Sequence, residues 1–239
     1  MYADDLLLLA NSVTDLQKLV NICIEEFDLL DLSLNVSKSS CLRIGSRFNS
    51  KCANISTGGG SVAWCDKIRY LGIFISSGKH FKCVFDNARS SFYRSFNSIY
   101  SKIGNASSPN VILSLLSSYC LPSLLYGSEA IVIDSHEMQR LNLAYSRAFM
   151  KIFSSYDCNV IKQCQFFSGF LPLSPLTDLR RLKFLYKINA CQEPIFYTFR
   201  SVIQREIQNI LKFHCCKSTD NYHAVENRIW KNFEVSVFD

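Results

Sequence analysis

The chain has 239 residues, 48 % of them hydrophobic and 19 % charged, enough apolar matter for one large or two small cores and too much for a disordered chain. Its apolar runs, such as residues 6–10 and 130–133, are far shorter than the roughly 18 residues of a membrane span, and Asp4 and Asp5 stand where a signal peptide would be basic. The net charge of +6 is uneven: residues 1–31 hold seven acids and Lys18 alone, whereas residues 32–105 hold eleven bases against Asp66 and Asp86, a local balance of +9. Such a basic stretch suits either an anionic partner, nucleic acid first, or a merely solvated face. Eleven cysteines, an odd number with no C-x-x-C pair, read as free, mostly buried thiols of an intracellular protein of the nucleus or cytoplasm.

Residues 6–10 are too short a run for periodicity to assign. Thr14 and Gln17 have capping-box spacing, and Leu16, Leu19, Val20, Cys23, Ile24, Phe27 and Leu30 follow at helical intervals. Leu32, Leu34 and Val36 alternate as in an extended segment, and residues 41–44 look like another short strand. Residues 45–63 read as a loop with Gly58-Gly59-Gly60 at its tip, and residues 68–75 as a β-rich run closed by Ser76-Ser77-Gly78.

From there the pattern is helical. Phe85, Ala88, Phe92, Phe96, Ile99 and Ile103 step by three and four. Ser108-Pro109 and Ser174-Pro175 each resemble a cap followed by a first-turn proline, and Pro122 is expected to kink or break the apolar segment 111–126. A helix from Ser135 carries Met138, Leu141, Tyr145, Ala148 and Ile152 on one face, and a last helix is expected over 199–212. The class is α+β: short antiparallel strands with one helix, then a mostly helical remainder.

Tyr2-Ala3-Asp4-Asp5 sets two carboxylates side by side. Adjacent acids in a strand face opposite ways, so they serve one metal only at a tight turn; magnesium takes such oxygen ligands. Alone, the tetrapeptide fits any exposed turn. In order after it come an amphipathic helix, Asn35-Val36-Ser37-Lys38-Ser39, Tyr70-Leu71-Gly72, a basic helix, and the string 118–129, Ser-Tyr-Cys-Leu-Pro-Ser-Leu-Leu-Tyr-Gly-Ser-Glu. This succession resembles the second half of a reverse transcriptase of the non-LTR (LINE-type) retrotransposon class, over residues 2–129; beyond about residue 150 the likeness is general.

The resemblance implies a palm remnant over 1–80 with a primer-grip hairpin, a thumb-like region over 81–130 and a helical C-terminal region over 131–239. It implies RNA-directed DNA synthesis by two-metal nucleotidyl transfer. Asp4 and Asp5 would hold Mg2+, and Tyr2 would lie near the primer terminus. Lys38 would sit near the triphosphate of an incoming dNTP. Tyr70, Leu71 and Gly72 would shape the hairpin that steadies the primer. Lys79, Lys82, Arg89, Arg94 and Lys102 would meet the phosphates of an RNA template with its DNA primer, or of an RNA–DNA hybrid. In the family the fingers and the first catalytic aspartate precede the Tyr-Ala-Asp-Asp box, so the expectation is a fragment, inactive by itself. Read without the family, Lys38 can be a surface lysine and Tyr70 and Leu71 core residues. The alternatives are a non-catalytic nucleic-acid-binding module, with Phe92, Tyr93 and Phe96 beside the bases, or a decayed product with no selected role. His214, Cys215, Cys216 and His223 are the only candidates for a terminal zinc knuckle, and their spacing argues against one.

Overall fold

A computed structural model describes residues 4–104 and 106–238. It is a mixed α+β chain that divides into two compact units, residues 1–84 and 85–239. The regions 81–130 and 131–239 therefore share one unit from Phe85 onward.

The first unit opens with helix α1, Val13–Leu29. Its cap is Ser12, two residues upstream of the expected Thr14 box: Ser12 Oγ accepts the Asp15 N–H at 3.0 Å. Gln17 is thereby released for another task. Its amide donates to the Ser56 carbonyl at 2.7 Å and accepts the Ser56 N–H at 2.8 Å, tying α1 to strand β1, Ile55–Thr57. β1 pairs antiparallel with β2, Gly60–Val62, across Gly58-Gly59, so the expected loop 45–63 contains a hairpin. Val20, Ile55 and Val62 form a small buried core, packed by Leu16, Ile24, Val36, Cys41 and Trp64.

The expected strands at 32–36 and 41–44 do not form. Residues 36–38 are a turn, and Cys41 and Ile44 make only isolated bridges, to Trp64 and Gly78. Residues 6–10 belong to no strand, and Leu6, Leu7 and Leu9 are exposed. The β-rich run is two strands: β3, Lys67–Tyr70, and β4, Ile73–Ser76, with β5, Lys82–Val84, completing an antiparallel sheet in the order β3-β4-β5.

The second unit begins with α2, Asp86–Ile103, whose Phe92 and Phe96 are buried. α3, Pro109–Leu115, runs through a π-helical turn, Leu116–Cys120, into α4, Leu121–Leu124. The helix is not broken at Pro122. The Leu121 N–H reaches back to the Leu116 carbonyl, and that widened turn gives the proline ring room against the preceding carbonyls. α5, Ser135–Phe153, is capped by Asp134, which accepts the Glu137 N–H at 2.8 Å.

α6, Cys158–Phe167, α7, Leu173–Asn189, α8, Pro194–Phe213, and α9, Tyr222–Phe238, surround a second core built on Leu179, Leu182, Ile207, Leu211, Val225 and Ile229. Ser174-Pro175 lies inside the first turn of α7, because the helix starts one residue earlier than its supposed cap. α8 begins well before 199 and α9 lies beyond the last expected helix. All eleven cysteines are free, but only Cys83 and Cys120 are buried; Cys65, Cys158 and Cys215 are exposed.

Candidate functional site

Asp4 and Asp5 are both exposed; Tyr2 lies outside the described residues. Carboxylate oxygens suit Mg2+ chemically. However, among the described residues no three His, Cys, Asp or Glu side chains are arranged to hold a metal. Among the described residues Asp4 and Asp5 have no third such side chain beside them to complete a two-metal clamp.

Lys38 is exposed at the end of a turn organised by Asn35. Asn35 Oδ1 accepts from the Lys38 N–H at 3.1 Å and from Ser37 Oγ at 2.8 Å, while its carbonyl accepts from the Ser39 N–H at 3.0 Å and Ser39 Oγ at 2.8 Å. This Asx-type turn fixes the backbone that displays the lysine.

Tyr70-Leu71-Gly72-Ile73 is the tip of the β3–β4 hairpin. Tyr70 pairs with Ile73, leaving Leu71 and Gly72 as a two-residue turn with φ of 47° and 81°. Two successive positive φ values mark a type I′ turn, whose twist matches that of the flanking strands. Glycine is at home there; leucine is not. Tyr70 and Leu71 are half-buried.

The cations expected to meet phosphate lie on different elements. Lys79 and Lys82 are exposed, the first in the β4–β5 connection and the second on β5. On α2, Arg89 is paired with Asp86 at 3.0 Å. That carboxylate also takes Arg140 at 2.6 Å, and Arg140 grips the buried Glu137 at 2.7 Å. This hydrogen bond to Glu137 holds the Arg140 guanidinium charged, above its ordinary range. Arg89 is thus part of a clasp between α2 and α5. Arg94 and Lys102 are exposed, eight residues apart, and at about 100° per residue they do not share a face with Arg89. Phe92 and Phe96 are core residues, 0 % and 3 % exposed, and not available to a ligand.

The two histidines among the knuckle candidates are engaged elsewhere, and Cys215 is exposed. His214 is buried with Nε2 3.0 Å from Asp178 Oδ2, and His223 lies 3.5 Å from Glu226 Oε2.

The three-stranded sheet holds residues that the sequence reading missed. Its register sets Lys67 opposite Ser76 and Ser76 opposite Lys82, and sets Arg69 opposite Phe74 and Phe74 opposite Val84. Directly paired residues share a face. One face therefore carries Lys67, Arg69, Phe74, Ser76, Lys82 and Val84, and the other carries Ile68, Tyr70, Ile73, Ile75 and Cys83. Lys67 Nζ stands 4.7 Å and Arg69 Cζ 6.0 Å from the Phe74 ring centre. The signal was present in the alternation Lys-Ile-Arg-Tyr, had Leu71-Gly72 been taken as a turn and not as strand.

Comparison with known proteins identifies no relative: no family model matches the chain, and no curated protein or solved structure matches it.

Proposed function

We propose that this chain is the palm-to-thumb part of an RNA-directed DNA polymerase of the non-LTR retrotransposon class, whose parent reaction is template-directed DNA synthesis. Support comes from the order of its motifs and from how the motif residues are held. The observation with most weight is the Tyr70–Ile73 hairpin, which closes on a two-residue turn at the motif residues Leu71 and Gly72. In this reading Leu71 and Gly72 press the primer strand, and Lys38 offsets phosphate charge from its Asn35-braced turn. Asp4 and Asp5 by themselves are too few oxygen donors to hold two metals. The chain alone accordingly binds a primed template without extending it.

Two measurements on the 239-residue chain test this. A primer bearing a photoreactive thymine at its 3′ end, annealed to an RNA template, should cross-link to the peptide containing residues 70–73. Primer extension on poly(rA)/oligo(dT) with Mg2+ or Mn2+ should stay at background. Cross-linking spread over unrelated peptides would refute the hairpin's role, and extension that vanishes in Asp4→Ala would refute the incomplete metal set.

A further inference from the structure

We propose that Cys65 and Cys41 form a peroxide-sensitive dithiol, a modification site at which a hydroperoxide converts two free thiols into a disulfide. This inference stands on the unit 1–84 alone and does not depend on the polymerase reading.

The fold gathers three thiols from three separate stretches around Trp64. Cys41 bridges Trp64 in parallel: its N–H donates to the Ala63 carbonyl at 3.0 Å, and its carbonyl accepts the Cys65 N–H at 2.8 Å. One hydrogen bond between the two backbones keeps their α-carbons within the roughly 4.4–6.8 Å that a disulfide spans. Cys52 comes close because the Trp64 indole donates to the carbonyl of its neighbour Ala53 at 2.9 Å. In a regular ladder, side chains one position out of register face opposite ways. Here Cys41 and Ile44 make only isolated bridges. Cys65 Sγ also turns back to the Ala63 carbonyl at 4.0 Å, the same oxygen that the Cys41 N–H meets. Packing accounts for Cys41, which is half-buried against the Val20–Ile55–Val62 core. It does not account for Cys65, which is exposed and yet leans toward Cys41.

The surroundings give the two thiols different parts. Cys65 is open to solvent, and the Arg43 guanidinium stands over the ring of the adjacent Trp64, 5.2 Å from its centre. A cation placed there favours thiolate over thiol. Cys41 is the slower partner: burial first, and then the nearby Cys65 and Cys52 thiols, push its thiol up. An accessible nucleophile beside a sheltered second thiol is the arrangement of a redox-sensing pair. The Cys65 sulfur attacks one peroxide oxygen. The O–O bond breaks, the displaced oxygen leaves as an alcohol or water with the proton of the thiol, and Cys65 is left as a sulfenic acid. The Cys41 sulfur then attacks that sulfur. The S–S bond forms, the S–O bond breaks, and the hydroxyl leaves as water with the Cys41 proton. Two electrons pass from the thiols to the peroxide, and a small thiol reverses the bridge by exchange. The bridge fastens residues 41–45 beside Trp64, a segment whose far end is held by the Gly45 N–H on the Gly78 carbonyl at 2.9 Å.

The test treats the full, reduced chain with equimolar hydrogen peroxide and maps its thiols by peptide mass spectrometry without reduction. The peptide containing Cys41 should appear joined to the one containing Cys65, and dithiothreitol should separate them. Cys41→Ser should leave Cys65 as a sulfenic acid, so that dimedone labels Cys65 well above the parent's level. Cys65→Ser should abolish the bridge and leave Cys41 reduced. Cys52→Ser and Cys158→Ser/Cys215→Ser should bridge as the parent does. The parent map needs no substitution and so stands even where a serine variant misfolds. The inference is overturned if peroxide joins Cys52 to either thiol in the parent, if the parent accumulates dimedone-labelled Cys65 with no bridge, or if Cys158 and Cys215 oxidise while Cys65 stays reduced.

Discussion

Replacing Gly72 by valine probes the turn on which the candidate hairpin depends. Gly72 has φ of 81° and follows Leu71 at 47°. A left-handed conformation costs an L-residue roughly 1–2 kcal/mol, with β-branched side chains among the worst placed. Leu71 already bears one such cost, and Gly72→Val adds a second beside it. The expected loss for the unit 1–84 is about 1.5 kcal/mol. The assay is urea unfolding followed by Trp64, whose indole is fixed to the Ala53 carbonyl at 2.9 Å. A Trp230→Phe background removes the other tryptophan. With a slope of about 1–1.5 kcal/mol per molar urea, as expected for a small unit, the midpoint should fall by about 1 M. The same physics gives Leu71→Asn the opposite sign, because asparagine tolerates the left-handed region; its midpoint should rise by a few tenths of a molar. A Gly72→Val midpoint within 0.2 M of the parent (about 0.3 kcal/mol) would refute the type I′ assignment.

Three further outcomes follow from particular side chains. Tyr145 is 1 % exposed and its hydroxyl has no hydrogen-bond partner among the described residues; burial also pushes its ionisation far up. Tyr145→Phe should therefore stabilise the unit 85–239 by about 1 kcal/mol, raising its melting temperature by about 2–4 °C, and a fall in calorimetry would reveal a bonded hydroxyl. Gln17→Ala loses both bonds to Ser56 and should cost about 1–2 kcal/mol in the Trp64 urea assay, whereas an unchanged midpoint would show that the α1–β1 tie is idle. Burial raises the Cys83 and Cys120 thiols above their ordinary range, so iodoacetamide at pH 8 should modify exposed Cys65, Cys158 and Cys215 first; mass spectrometry showing Cys120 alkylated as quickly in the folded chain would contradict its burial.

What could be read from the sequence was local. The helical steps of Leu16, Val20 and Ile24 and of Phe92, Phe96 and Ile103 are set within one element, and α1, α2 and α5 formed where their periodicity lay. The cap of α1 was misjudged by two residues, because Ser12 and Thr14 are near-equal caps and only the rest of the fold decides between them, whereas α5 starts at Ser135 as expected. Strand existence at 32–36 failed for a different reason. Alternation there has no partner strand, and the side chain of Asn35 offers the backbone a turn that is locally satisfied. Pro122 misled in the other direction: the π turn ahead of it depends on packing, which no propensity scale contains.

The sheet face shows most clearly where sequence reading stops. Lys67, Arg69, Phe74 and Lys82 span sixteen positions and are unremarkable one by one, each a common residue in a basic stretch. Charge counting located the +9 segment, and the resemblance placed its phosphate contacts at Lys79, Lys82 and the bases of α2, whose helical spacing is visible along the chain. In a sheet the equivalent neighbours are created by register, and register here depends on two residues, Leu71 and Gly72. Shifting that turn by one position would send Lys67 and Arg69 to the side now occupied by Ile68 and Tyr70. The turn and the cationic face are therefore one feature: a Gly72 substitution that moves the register should lower hairpin stability and carry Lys67 and Arg69 off the Phe74 ring, whereas Lys67→Gln/Arg69→Gln should remove those ring contacts and leave the register in place.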